Sequence, residues 1–287
     1  MLKNPGTVLL LGGIDTGKTT FAIELLRRAA QSGIPAAFVD ADIGQPTVGP
    51  PTTIGLKLCA EINELTAETM READLLSFVG SISPRGHLLP LVTGTSRLTS
   101  EAKSAGCRLI VVDTTGYVSG IYGQMLKFHK MNLINPEFVI AFERGGELEP
   151  VVGLASRFTP AEVLEVGVSP QVVPRTVDER TAFREQKFAA YFAAGVSRWR
   201  VKPTVFMPTL PPEFDLALLD SMVVGMEDGK GACVGIGVLE YDASEDMLRM
   251  VSPVSEGVRG LRLGSLRIDI EGRSKGPVDL RELFRTE

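Results

Sequence analysis

Gly12-Gly13-Ile14-Asp15-Thr16-Gly17-Lys18-Thr19 is the stretch that most constrains what this chain can fold into. It fits G-x-x-x-x-G-K-[ST] and stands between an apolar run, Thr7–Leu11, and an amphipathic, helix-like segment, Phe21–Ala30. A strand that turns through glycines into a helix is the setting in which this pattern holds nucleotide phosphates. The glycines let backbone N–H groups face phosphate oxygens, and the helix N-terminus adds positive potential. Lys18 then reaches the β- and γ-phosphates, and the Thr19 hydroxyl can ligate Mg²⁺. Gly12, Gly13, Ile14, Asp15, Thr16, Gly17, Lys18, Thr19 and Thr20 form the expected nucleotide-binding loop. The competing explanation, a glycine-rich turn with an exposed lysine, does not account for the flanking strand and helix.

Further apolar runs follow at Ala36–Val39, Leu75–Val79, Leu109–Val112 and Phe138–Phe142. Near-continuous apolar strands separated by helices predict a parallel sheet covered on both faces. Ligands gather at the carboxyl ends of such strands, so the polar residues after each run are where chemistry is expected. Asp178–Ala194 reads as a helix with acidic residues in its first turn. Val201-Lys202-Pro203 reads as a boundary, and strand-like alternation follows at Val234, Ile236 and Val238, then at Leu261, Leu263, Leu266, Ile268 and Ile270. The expected architecture is therefore α/β. A P-loop NTPase-type parallel sheet with helices on both faces spans residues 1–199, a helical lid lies at about 178–194, and a small β-rich domain spans 200–287.

Composition narrows the function classes. With 44% hydrophobic and 23% charged residues over 287 positions, the chain is neither disordered nor fibrous. No apolar run approaches the ~20 residues of a membrane helix, and the N-terminal run ends in glycines rather than a small-residue cleavage site. Cys59, Cys107 and Cys233 lie far apart, which argues against zinc or a disulfide framework and for reduced thiols in a cytoplasmic protein. The net charge of −5 argues against nonspecific wrapping of long nucleic acid. Gripping one strand end needs only a local patch.

Asp40-Ala41-Asp42-Ile43-Gly44-Gln45-Pro46 follows the second strand. A carboxylate there can accept the proton of an attacking hydroxyl beside the γ-phosphate, or it can cap the following turn. Asp113 ends the Leu109–Val112 strand, the Walker B position that orients Mg²⁺ or its water shell, and Thr114–Val118 can act as a switch-like loop. An N/T-K-x-D guanine-reading motif is absent from the sequence, which leaves ATP or a relaxed nucleotide preference. Arg180 and Arg184 share one helix face, with Arg175 just upstream. By spacing alone they read as an ion-paired solvated face beside Glu179 and Glu185 rather than as a phosphate clamp.

Together these segments resemble the polynucleotide 5′-hydroxyl kinases related to the RNA kinase subunit of the pre-mRNA 3′-end cleavage factor and to the nucleolar rRNA-processing kinases. The likeness rests on GGIDTGKTT (12–20), DADIGQPTVGPPTTIGL (40–56), FVGSISPRGHLLPLV (78–92), VVDTTGYVSGIYGQML (111–126) and RTVDERTAFREQKFAAYF (175–192). It implies ATP-dependent phosphorylation of the 5′-OH end of RNA or DNA, with Mg²⁺. It assigns Lys18 to the phosphates and Asp42, by its place in D-x-G-Q, as general base. Arg180 and Arg184 become the lid pair, and Ser83-Pro84 part of a clasp near the nucleotide. From the residues themselves, Thr19 and Asp113 are the expected metal ligands, and Gln45, Ser83 and Tyr117 are the expected polynucleotide contacts. Family members commonly carry Asn where this chain has Asp113 and Trp where it has Tyr117. Tyr can also stack on a terminal base. A P-loop ATPase switch, or a nucleotide-binding scaffold in an RNA-processing complex, is the alternative.

Overall fold

The first apolar run becomes β1 (Thr7–Gly12), buried along its whole length. The chain leaves it through the glycine loop and enters α1 (Lys18–Gln31) directly after Gly17, whose φ of 86° is one that residues with a Cβ resist. Ala22, Leu25, Leu26 and Ala29 form the buried stripe of α1 at helical spacing. Then come β2 (Ala36–Ala41), β3 (Thr53–Leu58), β4 (Leu75–Phe78), α2 (Leu88–Ser104), β5 (Leu109–Thr114), α3 (Gly120–Ile134), β6 (Phe138–Glu143), α4 (Glu149–Phe158) and β7 (Glu162–Gly167). These coordinates are a computed structural model that describes residues 1–59 and 65–284.

Their sheet order is β4-β3-β2-β5-β1-β6-β7. The strands from β2 to β7 in that order run parallel, as the apolar runs predict. β3 departs from the expectation, because it returns antiparallel to β2. Gly55 makes that close return possible, since a Cβ there would lie 2.6 Å from the Val48 carbonyl oxygen. β7 carries Glu162 and Glu165, so its sequence lacks the continuous apolar character of a central strand. Val8, Leu10, Phe38, Val111 and Ile140 pack with the stripe of α1. Leu9, Leu11, Val39 and Val112 alternate to the opposite face and are equally buried. There α2 lies on β2 and β5, and α3 is flanked by α2 and α4. The result is the α/β, P-loop-type sheet with helices on both faces.

The chain divides into two compact units: Met1–Gly49, Ile54–Ser77 and Ser83–Thr176 in one, Pro50–Thr53, Phe78–Ile82 and Val177–Glu287 in the other. The second contains α5 (Val177–Phe192), β8 (Ser197–Val201), β9 (Phe206–Met207), β10 (Met222–Glu227), β11 (Cys233–Asp242), β12 (Met247–Ser252), β13 (Gly260–Ile268), β14 (Ser274–Pro277) and α6 (Leu280–Leu283). Antiparallel pairing runs β14-β13-β10-β11-β12-β8, and β9 adds in parallel to β13. Met222, Val224, Leu239, Leu248 and Met250 are fully or almost fully buried in its core.

The α5 helix groups with this second unit, whereas the sequence reading assigns the helix to residues 1–199. Two local features explain the grouping. The Tyr191 hydroxyl accepts the Ile236 N–H at 3.0 Å and donates to the Ile236 carbonyl at 3.3 Å. Gly272 lies directly against the helix, for a Cβ there would meet the Glu185 carbonyl oxygen at 2.5 Å. Tyr191→Phe strands a buried backbone donor and is expected to cost about 1–3 kcal/mol. A thermal melt should fall by several degrees, and an unchanged midpoint would show that this hydroxyl does not anchor α5.

Candidate functional site

The phosphate loop closes on its own lysine. Lys18 is buried rather than exposed. Its ammonium donates to the carbonyls of Gly12 at 3.1 Å and Gly13 at 2.6 Å, and to Thr16 Oγ1 at 3.3 Å. Asp15 and Gly17 both adopt positive φ, at 52° and 86°, which curls the backbone around that ammonium. Arg144, immediately after β6, donates to the carbonyls of Ile14 and Asp15. The Asp15 carboxylate accepts the Arg175 N–H at 2.9 Å, and the Arg175 guanidinium donates to Gln45 Oε1 at 3.2 Å. Arg175 thus ties the phosphate loop to the segment after β2. Arg144 escapes the sequence reading, whose only cue for it is its place directly after an apolar strand.

Three carboxylates meet beside this loop. The parallel register sets Asp40 of β2 opposite Asp113 of β5 at the carboxyl ends of their strands. Asp113 Oδ2 accepts the Thr19 hydroxyl at 2.5 Å, and Oδ1 accepts the Thr114 N–H at 2.8 Å. Burial pushes the Asp113 carboxyl up, while Lys18 and the Thr19 hydrogen bond oppose the shift. The Asp40 carboxyl is pushed up to about 8, first by burial, then by the charges of Asp113 and Asp42. Its Oδ1 accepts the Asp42 N–H at 3.0 Å, and its Oδ2 accepts the N–H groups of Thr47 at 2.5 Å and Val48 at 3.0 Å.

Asp40 therefore shapes the loop. Asp42 differs, because only its Oδ1 is engaged, by the N–H groups of Gly44 and Gln45 at 3.1 Å each. Its Oδ2 has no hydrogen-bond donor among the described residues, and the residue is half-buried. The ambiguity between the two carboxylates is thus one of geometry: one organises a turn with both oxygens, and the other keeps an oxygen available.

Gly116 lies against the phosphate loop, since a Cβ there would meet the Ile14 nitrogen at 2.6 Å. Tyr117 follows it, half-buried, and Val118 packs with Ala141 and Leu148. Ser83 is exposed between β4 and α2, its Oγ accepting the Arg85 N–H at 3.4 Å. Arg180 and Arg184 stand half-buried on α5 in the second unit, where Arg184 donates to Thr181 Oγ1 at 2.8 Å. Lys18, Thr19, Asp40, Asp42, Asp113, Gln45 and Tyr117 thus belong to the first unit, as does Ser83. The sequence reading also passes over Lys127 and Lys130, which are wholly buried in α3. Among the described residues no helix is long and apolar enough to cross a membrane.

Residues 12–194 match the family model described as the mRNA cleavage and polyadenylation factor CLP1 P-loop. The chain is 29% identical to a polyribonucleotide 5′-hydroxyl-kinase of Thermococcus kodakarensis, across 98% of this chain and 93% of that one. It is 27% identical to a protein of the same name from Pyrococcus furiosus, with the same coverage. A CLP1 homolog of Anopheles gambiae is 27% identical across 82% of this chain and 55% of its own length. A chain of the solved Clp1p–Pcf11p complex superposes with a TM-score of 0.70 at 14% identity, covering 92% of this chain and 74% of that one, which is a likeness of fold.

The two neighbouring carboxylates give a paired expectation. Asp40→Asn turns an amide toward backbone N–H groups and should cost about 1–3 kcal/mol of stability. Asp42→Asn should leave the melting temperature near that of the unmodified chain, because Oδ1 and its two donors can remain. Melting curves of both variants check this, and the reverse order would exchange their assignments.

Proposed function

The chain belongs to the CLP1 P-loop family, and from that membership we propose that it is an ATP-dependent polynucleotide 5′-hydroxyl kinase. It transfers the γ-phosphate of ATP to the 5′-OH end of RNA or DNA. The observation that carries this reading is the Asp42 carboxylate, held through Oδ1 by two backbone amides with Oδ2 left over, one strand away from an Asp113–Thr19 pair at the phosphate loop. The names of the archaeal relatives support the same chemistry.

In this reading the amides of Gly12–Thr20 cradle the phosphates, and Lys18 shifts from its loop carbonyls to the β/γ oxygens. The 5′-oxygen attacks the γ-phosphorus and its proton passes to Asp42 Oδ2. The bond to the β–γ bridging oxygen breaks, and ADP leaves. Thr19 Oγ1 and Asp113 Oδ2, 2.5 Å apart, are hard oxygen donors of the kind that fit Mg²⁺ alongside phosphates and water. Bound there, Mg²⁺ would neutralise charge on the β- and γ-phosphates. Gln45, Ser83 and Tyr117 receive the strand end, with Tyr117 stacking on the terminal base. Arg180 and Arg184, on a lid helix at about 178–194, stabilise charge on the transferring group. Residues 1–199 then act as the kinase domain and 200–287 as a β-rich appendage, in a cytoplasmic protein with reduced cysteines.

The test is incubation with γ-labelled ATP and matched RNA and DNA oligonucleotides. Label should enter 5′-OH strands and be absent from strands already 5′-phosphorylated. ATP hydrolysis without labelling would overturn the kinase reading in favour of an ATPase switch. Lys18→Ala should abolish transfer, and Asp42→Asn should lower its rate by about 10²–10⁴-fold. Tyr117→Ala should weaken oligonucleotide binding by about 1–3 kcal/mol through lost stacking, with the KM for ATP unchanged. Equal loss for both ligands together with a lower melting temperature would make Tyr117 a packing residue.

A further inference from the structure

The helix α3 buries Gly123, Leu126, Lys127, Lys130, Met131 and Ile134. Two of the positions on this inward stripe, where apolar residues belong, are lysines with no exposure at all. Each buried ammonium is a cost to the fold unless paired, and lysine is among the residues least often found fully buried. The first is held by two hydrogen bonds. Lys127 Nζ donates to Thr114 Oγ1 at 2.8 Å and to the Thr115 carbonyl at 2.7 Å. The Thr114 hydroxyl in turn donates to the Leu10 carbonyl of β1 at 2.8 Å. An unbroken chain of hydrogen bonds therefore runs from α3 through the end of β5 to the strand that feeds the phosphate loop. It passes through Thr114, next in sequence to Asp113.

The second lysine is not engaged. Lys130 Nζ is buried with no hydrogen-bond partner among the described residues. Burial pulls its ammonium down to about 7, and the charges that oppose this are Asp42, Asp113 and Asp40, in that order. Burial likewise pulls Lys127 well below the usual lysine range, and the acids that oppose the fall are Asp42 and Asp113. Packing does not explain this pair, because a methionine would fill the same volume without an orphaned charge. What the pair does have is a shared buried face of α3 on which Lys127 is bonded to the two residues after Asp113, and the charges of Asp42 and Asp113 act on both lysines.

We propose that Lys127 and Lys130 are positioning residues for phosphoryl transfer: Lys127 fixes the Asp113–Thr115 segment against β1, and Lys130 supplies buried positive charge to the Asp40–Asp42–Asp113 cluster. The inference rests on the kinase reading above. In the free loop Lys18 serves partly as counter-charge to Asp113. When Lys18 turns to the nucleotide phosphates, Asp113 loses part of that counter-charge, and Lys130, whose charged form the three carboxylates favour against burial, stands on the adjoining helix. Neither touches substrate in this arrangement, so each acts through the groups it holds.

The test is steady-state transfer to a 5′-OH oligonucleotide by Lys127→Met, Lys130→Met and Thr114→Val, with melting temperatures measured alongside. Methionine keeps the length of the side chain and removes the charge. Lys130→Met should melt at or above the unmodified temperature, because an unsatisfied buried ammonium is gone. Its kcat should nevertheless fall at least tenfold, with the KM for ATP and for oligonucleotide within about threefold of the unmodified values. Lys127→Met and Thr114→Val should show the same loss of kcat with KM preserved, since both cut the chain between α3 and β1. A role in packing alone moves melting temperature and leaves kcat intact in the folded fraction. Lys130→Met and Thr114→Val are the smaller perturbations and decide the matter if Lys127→Met does not fold. Variant kcat values within twofold of an active unmodified protein overturn the lysine assignment and leave the kinase reading standing. An unmodified protein that labels no strand overturns the kinase reading itself.

Discussion

The hydrogen bond from the Thr19 hydroxyl to Asp113 Oδ2, 2.5 Å long, joins the first turn of α1 to the end of β5, two segments that the rest of the first unit is arranged to bring together. It exists because β1 and β5 pair in parallel, with Leu9 beside Val112, so that the phosphate loop and Asp113 emerge at the same edge. β2 on the far side of β5 then sets Asp40 opposite Asp113 and delivers the Asp42–Val48 loop to the same place. The glycines at this edge follow from how close the segments lie. Gly116 and Gly12 stand where a Cβ would come within 2.6 Å of a neighbour, Ile14 and Thr16 respectively.

Such an edge concentrates negative charge in a buried place, and most of the surrounding polar structure answers that problem. Asp40 is held by three backbone N–H groups that use both of its oxygens as acceptors, which an asparagine amide, with one acceptor oxygen, cannot reproduce. Lys18 and Thr19 bear on Asp113, while Lys127 and Lys130 approach from α3. Arg144 and Arg175 brace the outside of the phosphate loop. The result is a polar site organised before any ligand enters, as suits phosphoryl transfer, where positioning and electrostatics carry most of the rate enhancement.

Much of this edge was legible in the sequence, because its parts are local. A strand, a glycine turn and a helix lie within a short stretch of chain, and Asp40, Asp42 and Asp113 each terminate or follow an apolar run. What was not legible depends on long-range approach. β3 runs antiparallel to β2, and its Gly55 admits the Val48 carbonyl, a close approach that strand alternation does not encode. The grouping of α5 with the C-terminal unit depends on Tyr191 meeting Ile236, forty-five positions away. Lys127 and Lys130 were hidden because lysine normally marks an exposed face, so a periodicity argument counts them on the wrong side of α3. The division of labour between Asp40 and Asp42 could be taken from family resemblance, but its physical cause, two engaged oxygens against one, is visible only in the folded loop.

A double-mutant cycle on Thr19→Val and Asp113→Asn tests the joining of α1 to β5 most directly, with phosphate transfer to a 5′-OH strand as the readout. If the two side chains act as one unit, each substitution alone should lower turnover substantially, and the double variant should be no slower than the slower single one. Losses that multiply, each substitution exacting its full factor in the presence of the other, would mean that Thr19 and Asp113 act independently and would contradict the account.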